Sequence, residues 1–249
     1  GDLPSLFDIA NEVGVRNIIN EEQMDMMLLN REKHFINQYN PSMKLKLGRL
    51  FRMSPYTMNE KASYKLMEAI TNQRMIKSQE EILLMEEEAK ITKKMHLKAM
   101  KKAKKNMKAY ELESIIRKEA LRNGSQLSFP SIVTINGQTL HNPNYDDILE
   151  KGKLLLIDAG SRGSQGYCAD MTTIIPVGGK FSPEQKSIYD LLIEMYNHGE
   201  SMLKPDISYK EVHLSVCELM VKGLIERGFM MGEAKEIVNL GAHALFMPH

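Results

Sequence analysis

From Ser78 onward, apolar and small side chains recur at intervals that match one face of a helix: Ile82, Met85, Ala89, Ala99, Ala103 and Met107. The spacing predicts a helix of roughly eight turns. Ser78 and Glu81 have the order of a capping box at its start. Its first turns are acidic (Glu80, Glu81) and its last are basic (Lys101, Lys102, Lys104, Lys105), the arrangement that the helix dipole favours. A second helix follows, with Leu112, Ile115, Ile116 and Ala120 on one face and Asn123-Gly124 as its stop. Phe129 to Ile135 and Leu154 to Ile157 are apolar runs bounded by turn residues and read as strands.

The pattern then repeats. Ser182-Pro183-Glu184-Gln185 caps a helix whose stripe is Ile188, Leu191, Leu192, Met195 and Met202. Ser208 and Glu211 cap another, with Val212, Val216, Leu219 and Leu224 on one face and Gly228 at its end. Ala242 to Phe246 reads as the start of the strands that should follow, so the repeat looks cut short. The first 75 or so residues are more broken. Ser5 to Ala10 and Glu21 to Leu29 read as helices, Val15 to Ile19 as a strand, and Asn40-Pro41-Ser42 and Ser54-Pro55 as turns. Two units are therefore expected: residues 1–75, part of an N-terminal α/β domain, and residues 76–249, an α+β domain.

Composition narrows the function classes. With 43% apolar and 26% charged residues, the chain has the make-up of an ordinary globular protein. A formal charge of +1 offers no global attraction for nucleic acid or an anionic membrane, and neither is expected as a partner. The lysines from Lys90 to Lys108 read as a solvated helix face. No apolar run approaches the roughly 18 residues that a membrane span needs. Cys168 and Cys217 are far apart, which argues against a disulfide framework or a cysteine-based zinc site and suits a reducing, cytoplasmic setting.

Candidate chemistry concentrates in one stretch. Leu154-Leu155-Leu156-Ile157-Asp158-Ala159-Gly160 and Tyr167-Cys168-Ala169-Asp170-Met171-Thr172-Thr173-Ile174-Ile175-Pro176-Val177 flank a Gly- and Ser-rich connection, which reads as an antiparallel hairpin. If the hairpin is symmetric about Ser164, Asp158 and Asp170 lie opposite each other on one face. Paired carboxylates repel and are costly to bury unless a cation lies between them, so a divalent metal is the expected occupant. Taken alone, the pair also admits a reading as turn caps or water-facing carboxylates.

The surrounding residues resemble the metal-binding hairpin of the pita-bread metallopeptidases, closest to the Xaa-Pro aminopeptidases. The apolar strand into Asp158-Ala159-Gly160, then Gly166-Tyr167, Asp170-Met171-Thr172 and Pro176-Val177-Gly178-Gly179-Lys180-Phe181 carry the likeness. It extends from Arg74-Met75-Ile76-Lys77-Ser78 through Phe129-Pro130-Ser131 and Leu140-His141 to Phe246-Met247-Pro248-His249, which looks like the opening of a Pro-His-Gly-x-x-His motif. Thr173 stands where many of these aminopeptidases carry Arg, and the hairpin loop is about one residue longer. The resemblance implies a C-terminally shortened pita-bread catalytic fold after part of the N-terminal domain. It implies hydrolysis of the bond ahead of a proline at a peptide's second position. Two divalent ions are implied, manganese first and Co2+ or Zn2+ as alternatives, with Asp158 chelating one ion and Asp170 bridging both.

One further His and two Glu would complete the ligand set. The 249 residues alone are therefore expected to be inactive, with the ions incompletely held or absent. His141 and His249 match the family's substrate-facing histidines. His96 and His198 read as packed helix residues, and His213 and His243 receive no assignment. A prolidase acting on Xaa-Pro dipeptides, or a pita-bread module that only binds protein or nucleic acid, are the other readings. Dimerisation is common in the family and stays open here.

Overall fold

The computed structural model describes residues 3–20, 23–28 and 31–247, with the side chain of residue 25 left aside. The chain divides into two compact units, Gly1–Ile82 and Leu83–His249.

The first unit is helical. α1 (Leu6–Val13) starts at the Ser5 cap and stops at Gly14, which adopts φ +68°. α2 (Met24–Met27) is a single turn inside the predicted Glu21 to Leu29 helix; Glu21, Glu22 and Leu29 lie outside the described residues. Asn40-Pro41 opens a helix instead of a turn. The Asn40 carboxamide accepts from the amides of Ser42 and Met43, and Pro41 takes the first position of α3 (Pro41–Phe51), where a missing N–H costs nothing. A 3₁₀ turn (Met58–Lys61) and α4 (Tyr64–Met75), capped by Ser63, complete this part. Residues 15 to 19 form no strand: among the described residues no strand pairs with them to share their amides. Met58, fully buried, and the Phe35–Phe51 ring pair, 5.3 Å between centroids, supply the packing.

The second unit is built around α5 (Gln79–Lys102), whose first residues belong to the first unit. It spans 24 residues, fewer than predicted. Met107 N–H bonds Lys104 and Asn106 enters the left-handed region at φ +67°, so the backbone turns before the apolar pattern ends. The buried stripe of α5 also differs from the predicted one. It runs Glu88, Ile91, Thr92, Met95, His96 and Ala99, while Ile82 and Met85 are exposed.

α6 (Ala109–Arg122) buries Leu112, Ile116 and Ala120 and ends at Asn123, with Gly124 at φ +78°. The next strands are short: β1 (Gln126–Leu127), β2 (Ile132–Thr134), β3 (Leu154–Ala159), β4 (Ser161–Arg162) and β5 (Met171–Pro176). β3 lies between β2 and β5 in an antiparallel sheet, and β1 pairs with β4. β3 alternates strictly: Leu155, Ile157 and Ala159 are buried, whereas Leu154, Leu156 and Asp158 are half-buried. The buried face packs on Ile91, Met95, Ala99, Leu112 and Ile116. The other face carries the chemistry.

α7 (Pro183–Met202) and α8 (Tyr209–Glu226) begin at the predicted capping boxes and cross closely at Gly223, where a Cβ would stand 2.4 Å from a Leu191 methyl. α9 (Ala234–Asn239) follows. Ala242 to Leu245 is a 3₁₀ turn, where the pattern predicted a strand. A strand requires a partner ladder. Among the described residues none pairs with this segment, and the amides of Phe246 and Met247 bond locally to the His243 carbonyl.

Candidate metal centre

The β3–β5 hairpin positions both predicted carboxylates, two residues out of the expected register. Asp158 lies opposite Thr172 and Ala159 opposite Met171, so the hairpin is centred on Gln165, not Ser164. The reason is the turn. Gly166 N–H bonds the Gly163 carbonyl and Gly163 N–H bonds the Tyr167 carbonyl, leaving Ser164-Gln165-Gly166 as a three-residue loop. Its last residue needs φ +84°, which glycine supplies. Carried through the Arg162–Cys168 bridge, this register sets Asp170 opposite Gly160. A shift of two preserves the side-chain face. Asp158 and Asp170 are thus diagonal neighbours, and both border the same cleft.

Gly160 is where the hairpin closes tightest. A Cβ there would lie 1.8 Å from the Ala169 carbonyl oxygen and 2.4 Å from Ser128 Oγ. Ser128 N–H donates to the Gly160 carbonyl at 3.0 Å, and its hydroxyl donates to the Ala169 carbonyl at 2.9 Å. The residue between the two carboxylates' strands therefore has no room for a side chain.

Behind the hairpin, α5 holds the strands through buried polar contacts. The His96 ring, 2% exposed, lies 2.9 Å (Nδ1) from Thr173 Oγ1 and 3.0 Å (Nε2) from the Ala159 carbonyl oxygen. Because Nε2 faces a carbonyl it carries the proton, and neutral Nδ1 then accepts from the threonine. Ser161 N–H donates to Thr92 Oγ1 at 2.9 Å, and Ser161 Oγ donates to the Glu88 carbonyl. His96 was expected to be a packed helix residue; it is packed, and it also fixes the residues on either side of the carboxylate ladder. Its hydrogen-bonding role had no signal in the helical pattern.

The electrostatics of Asp158 are unusual for a strand residue. Burial holds its carboxyl above the ordinary carboxylate range, the adjacent Asp170 adds to this, and a hydrogen bond from Thr172 works the other way. Asp158 Oδ1 is buried and has no hydrogen-bond partner. Ser131 Oγ, which borders the same cleft, is likewise buried and unpartnered. Such groups are costly to leave unsatisfied, and a like-charged neighbour raises the cost. The donor set is hard oxygen, which suits a divalent cation. The residues fit the metal that the sequence implied.

His141 reaches this cleft from the loop after β2. It adopts φ +49°, rare for a residue with a side chain. Asp147 anchors the loop by accepting from Thr134 Oγ1 (2.6 Å), Ile135 N–H (3.1 Å) and Asn136 Nδ2 (3.0 Å), while Tyr145 Oη donates to the Ser131 carbonyl. The cleft has a volume of about 440 Å³, and Phe129, Pro130 and Pro143 form its apolar wall. His249, the other predicted histidine, lies outside the described residues.

Residues 83–245 match the sequence pattern of Metallopeptidase family M24. The chain belongs to that family. Its fold is the pita-bread α+β fold of M24 peptidases. A Xaa-Pro aminopeptidase of Escherichia coli (strain K12) is 36% identical over 181 residues, covering 71% of this chain and 40% of that protein. A probable Xaa-Pro aminopeptidase of Botryotinia fuckeliana is 36% identical over 188 residues, 74% of this chain and 41% of its own length. Among solved structures, proline aminopeptidase P II from Yersinia pestis superposes with TM-score 0.81 at 26% identity, over 96% of this chain and 57% of that one. A glutamate-to-alanine variant of Escherichia coli aminopeptidase P in complex with substrate gives TM-score 0.80 at 26% identity, with 95% of this chain and 57% of that one covered. A zinc-substituted form of that enzyme is similar too. This M24 chain spans about 40% of the length of the curated relatives it matches.

Proposed function

We propose that the protein containing this chain is a two-metal aminopeptidase that releases the residue ahead of a proline at the second position of a peptide. One observation carries the reading: the buried, unpartnered Asp158 Oδ1 beside Asp170, in a cleft that His141 and an apolar wall also border. Two divalent cations, manganese first and cobalt or zinc as alternatives, would be held there with help from one His and two Glu later in the family's motif order, and when bound would supply Lewis acidity and a water of lowered pKa. Asp158 and Asp170 would hold the ions. The His141 ring would donate to the substrate's carbonyl oxygen as negative charge develops on it. Phe129, Pro130 and Pro143 would receive the pyrrolidine ring and exclude water. By resemblance, His249 would join the same site.

Two measurements test this. Calorimetric titration of the full-length protein with Mn2+ should show binding that Asp158→Asn and Asp170→Asn each abolish, with weaker binding by the 249 residues alone. The full-length protein should cleave Xaa-Pro-containing tripeptides and longer peptides, and should spare the same peptides with alanine at the second position; the 249 residues alone should show no turnover. Cleavage confined to dipeptides would replace the proposal with a prolidase. Absence of Mn2+ binding by the folded full-length protein would replace it with a binding module.

A further inference from the structure

The second unit brings together a different set of metal-ligating side chains, unrelated to the carboxylate pair. His213 and Cys217 are one helical turn apart on α8 and present their donors to the same spot, with Cys217 Sγ 3.5 Å from His213 Nε2. The chain then passes through α9, turns at Gly241 (φ +74°) and returns His243 to this face. The His213 and His243 rings meet edge to face, 6.2 Å between centroids. One ligand atom from each of the three residues lies within 4.8 Å of the other two.

We infer that His213, Cys217 and His243 form a site for a thiophilic divalent cation of the zinc type, with its fourth coordination position open to water. Two nitrogens and one sulfur are soft to borderline donors, unlike the hard oxygens of Asp158 and Asp170, so zinc-type ions are favoured over manganese here more than at the carboxylate pair. Zinc–sulfur and zinc–nitrogen bonds of about 2.3 and 2.05 Å at a tetrahedral angle place the donors about 3.5 Å apart. His213 and Cys217 have that separation. A thiol-to-imidazole hydrogen bond could account for these two residues alone. It does nothing for His243, whose Nδ1 is buried without a hydrogen-bond partner. Cys217 is fully buried beside Val221, and Ala242, next to His243, packs on the same small core of Val221, Ala234 and Ile237, so the donors are held on a packed surface. His213 is exposed and lines an apolar groove of about 460 Å³, so the site has one donor open to solvent. On binding, the thiol proton leaves to solvent and the thiolate ligates. The ion would tie the 3₁₀ turn to α8. Cysteine spacing alone could not reveal this site, because its partners are histidines and one comes from another element.

Cobalt titration in the presence of excess Mn2+, which occupies the carboxylate centre, tests the inference. The 249-residue chain should bind one equivalent of Co2+ with a near-ultraviolet thiolate-to-cobalt charge-transfer band, a signature that no carboxylate ligand produces, and Zn2+ should displace it. Cys217→Ser should abolish the band, and His243→Gln should weaken Co2+ binding about tenfold or more, while Asp158→Asn leaves both unchanged. Lack of a band in the folded chain, a band that survives Cys217→Ser and disappears in Cys168→Ser, or unchanged affinity in His243→Gln would each overturn it. If Cys217→Ser unfolds, His243→Gln, on a half-buried turn, decides the matter.

Discussion

Asp158 is a single carboxylate whose surroundings favour its protonated form, and this has a measurable consequence in the metal-free chain. Burial and Asp170 raise its folded-state pKa above the ordinary 3.8, so the folded chain holds that proton more tightly than the unfolded one. This carboxyl's own contribution to stability is then largest below the ordinary value and is lost as pH rises through the window between it and the raised value, opposite in sign to that of Asp8, Glu80, Glu184, Glu211 and Glu218, whose hydrogen bonds hold them low. With chelator present, the thermal stability of the unmodified chain relative to Asp158→Asn should fall across that window. The same substitution should reduce Mn2+ affinity by more than the roughly 10- to 100-fold that outer-shell changes cost. His96 is the contrasting case, a buried ring satisfied on both nitrogens. His96→Ala strands the Ala159 carbonyl and the Thr173 hydroxyl and is expected to cost about 2–3 kcal/mol in urea unfolding, with partial rescue by His96→Gln. Gly160→Ala drives a methyl into the Ala169 carbonyl. Overpacking of this kind costs about 3 kcal/mol or more and should lower both the melting temperature and Mn2+ binding, since the carboxylates sit on either side.

At the scale of elements, the capping boxes at Ser78, Ser182 and Ser208 were legible because the capping is local: the serine oxygen and the acid or amide three residues on need only each other. The face a helix buries is not local. α5 carries apolar residues on several sides, and the sheet it packs against selected Ile91, Met95 and Ala99 together with the polar Thr92 and His96, leaving Ile82 and Met85 in solvent. Truncation should separate the two classes. Ile157→Ala on β3 is expected to cost about 2–5 kcal/mol, whereas Met85→Ala should stay within roughly 0.5 kcal/mol, as read from urea midpoints at constant m-value. The register of the hairpin was missed by one residue at its centre for a similar reason. Composition marks Ser161 to Gly166 as a turn, but the glycine that takes positive φ, Gly166, sets where the strands meet.

For the molecule as a whole, metal and stability are linked. A cation that binds only the folded state stabilises it by roughly 2.7 kcal/mol at a hundredfold excess over its Kd. For a chain of this size that corresponds to a rise of about 5–10 °C in melting temperature, expected with Mn2+ for the unmodified chain and absent in Asp158→Asn. The amino-acid order by itself determined the helices that open at Ser78, Ser182 and Ser208, the apolar strand that leads into Asp158, and the family, since each rests on neighbours in sequence or on a motif read in line. Tertiary structure decided which face of α5 is buried and that Asp170 sits diagonal to Asp158. It also drew His141 into their cleft from a clamped loop and brought His243 to His213 and Cys217. Those are contacts between residues far apart along the chain, and their geometry depends on how the backbone between them turns and packs, which no local pattern encodes.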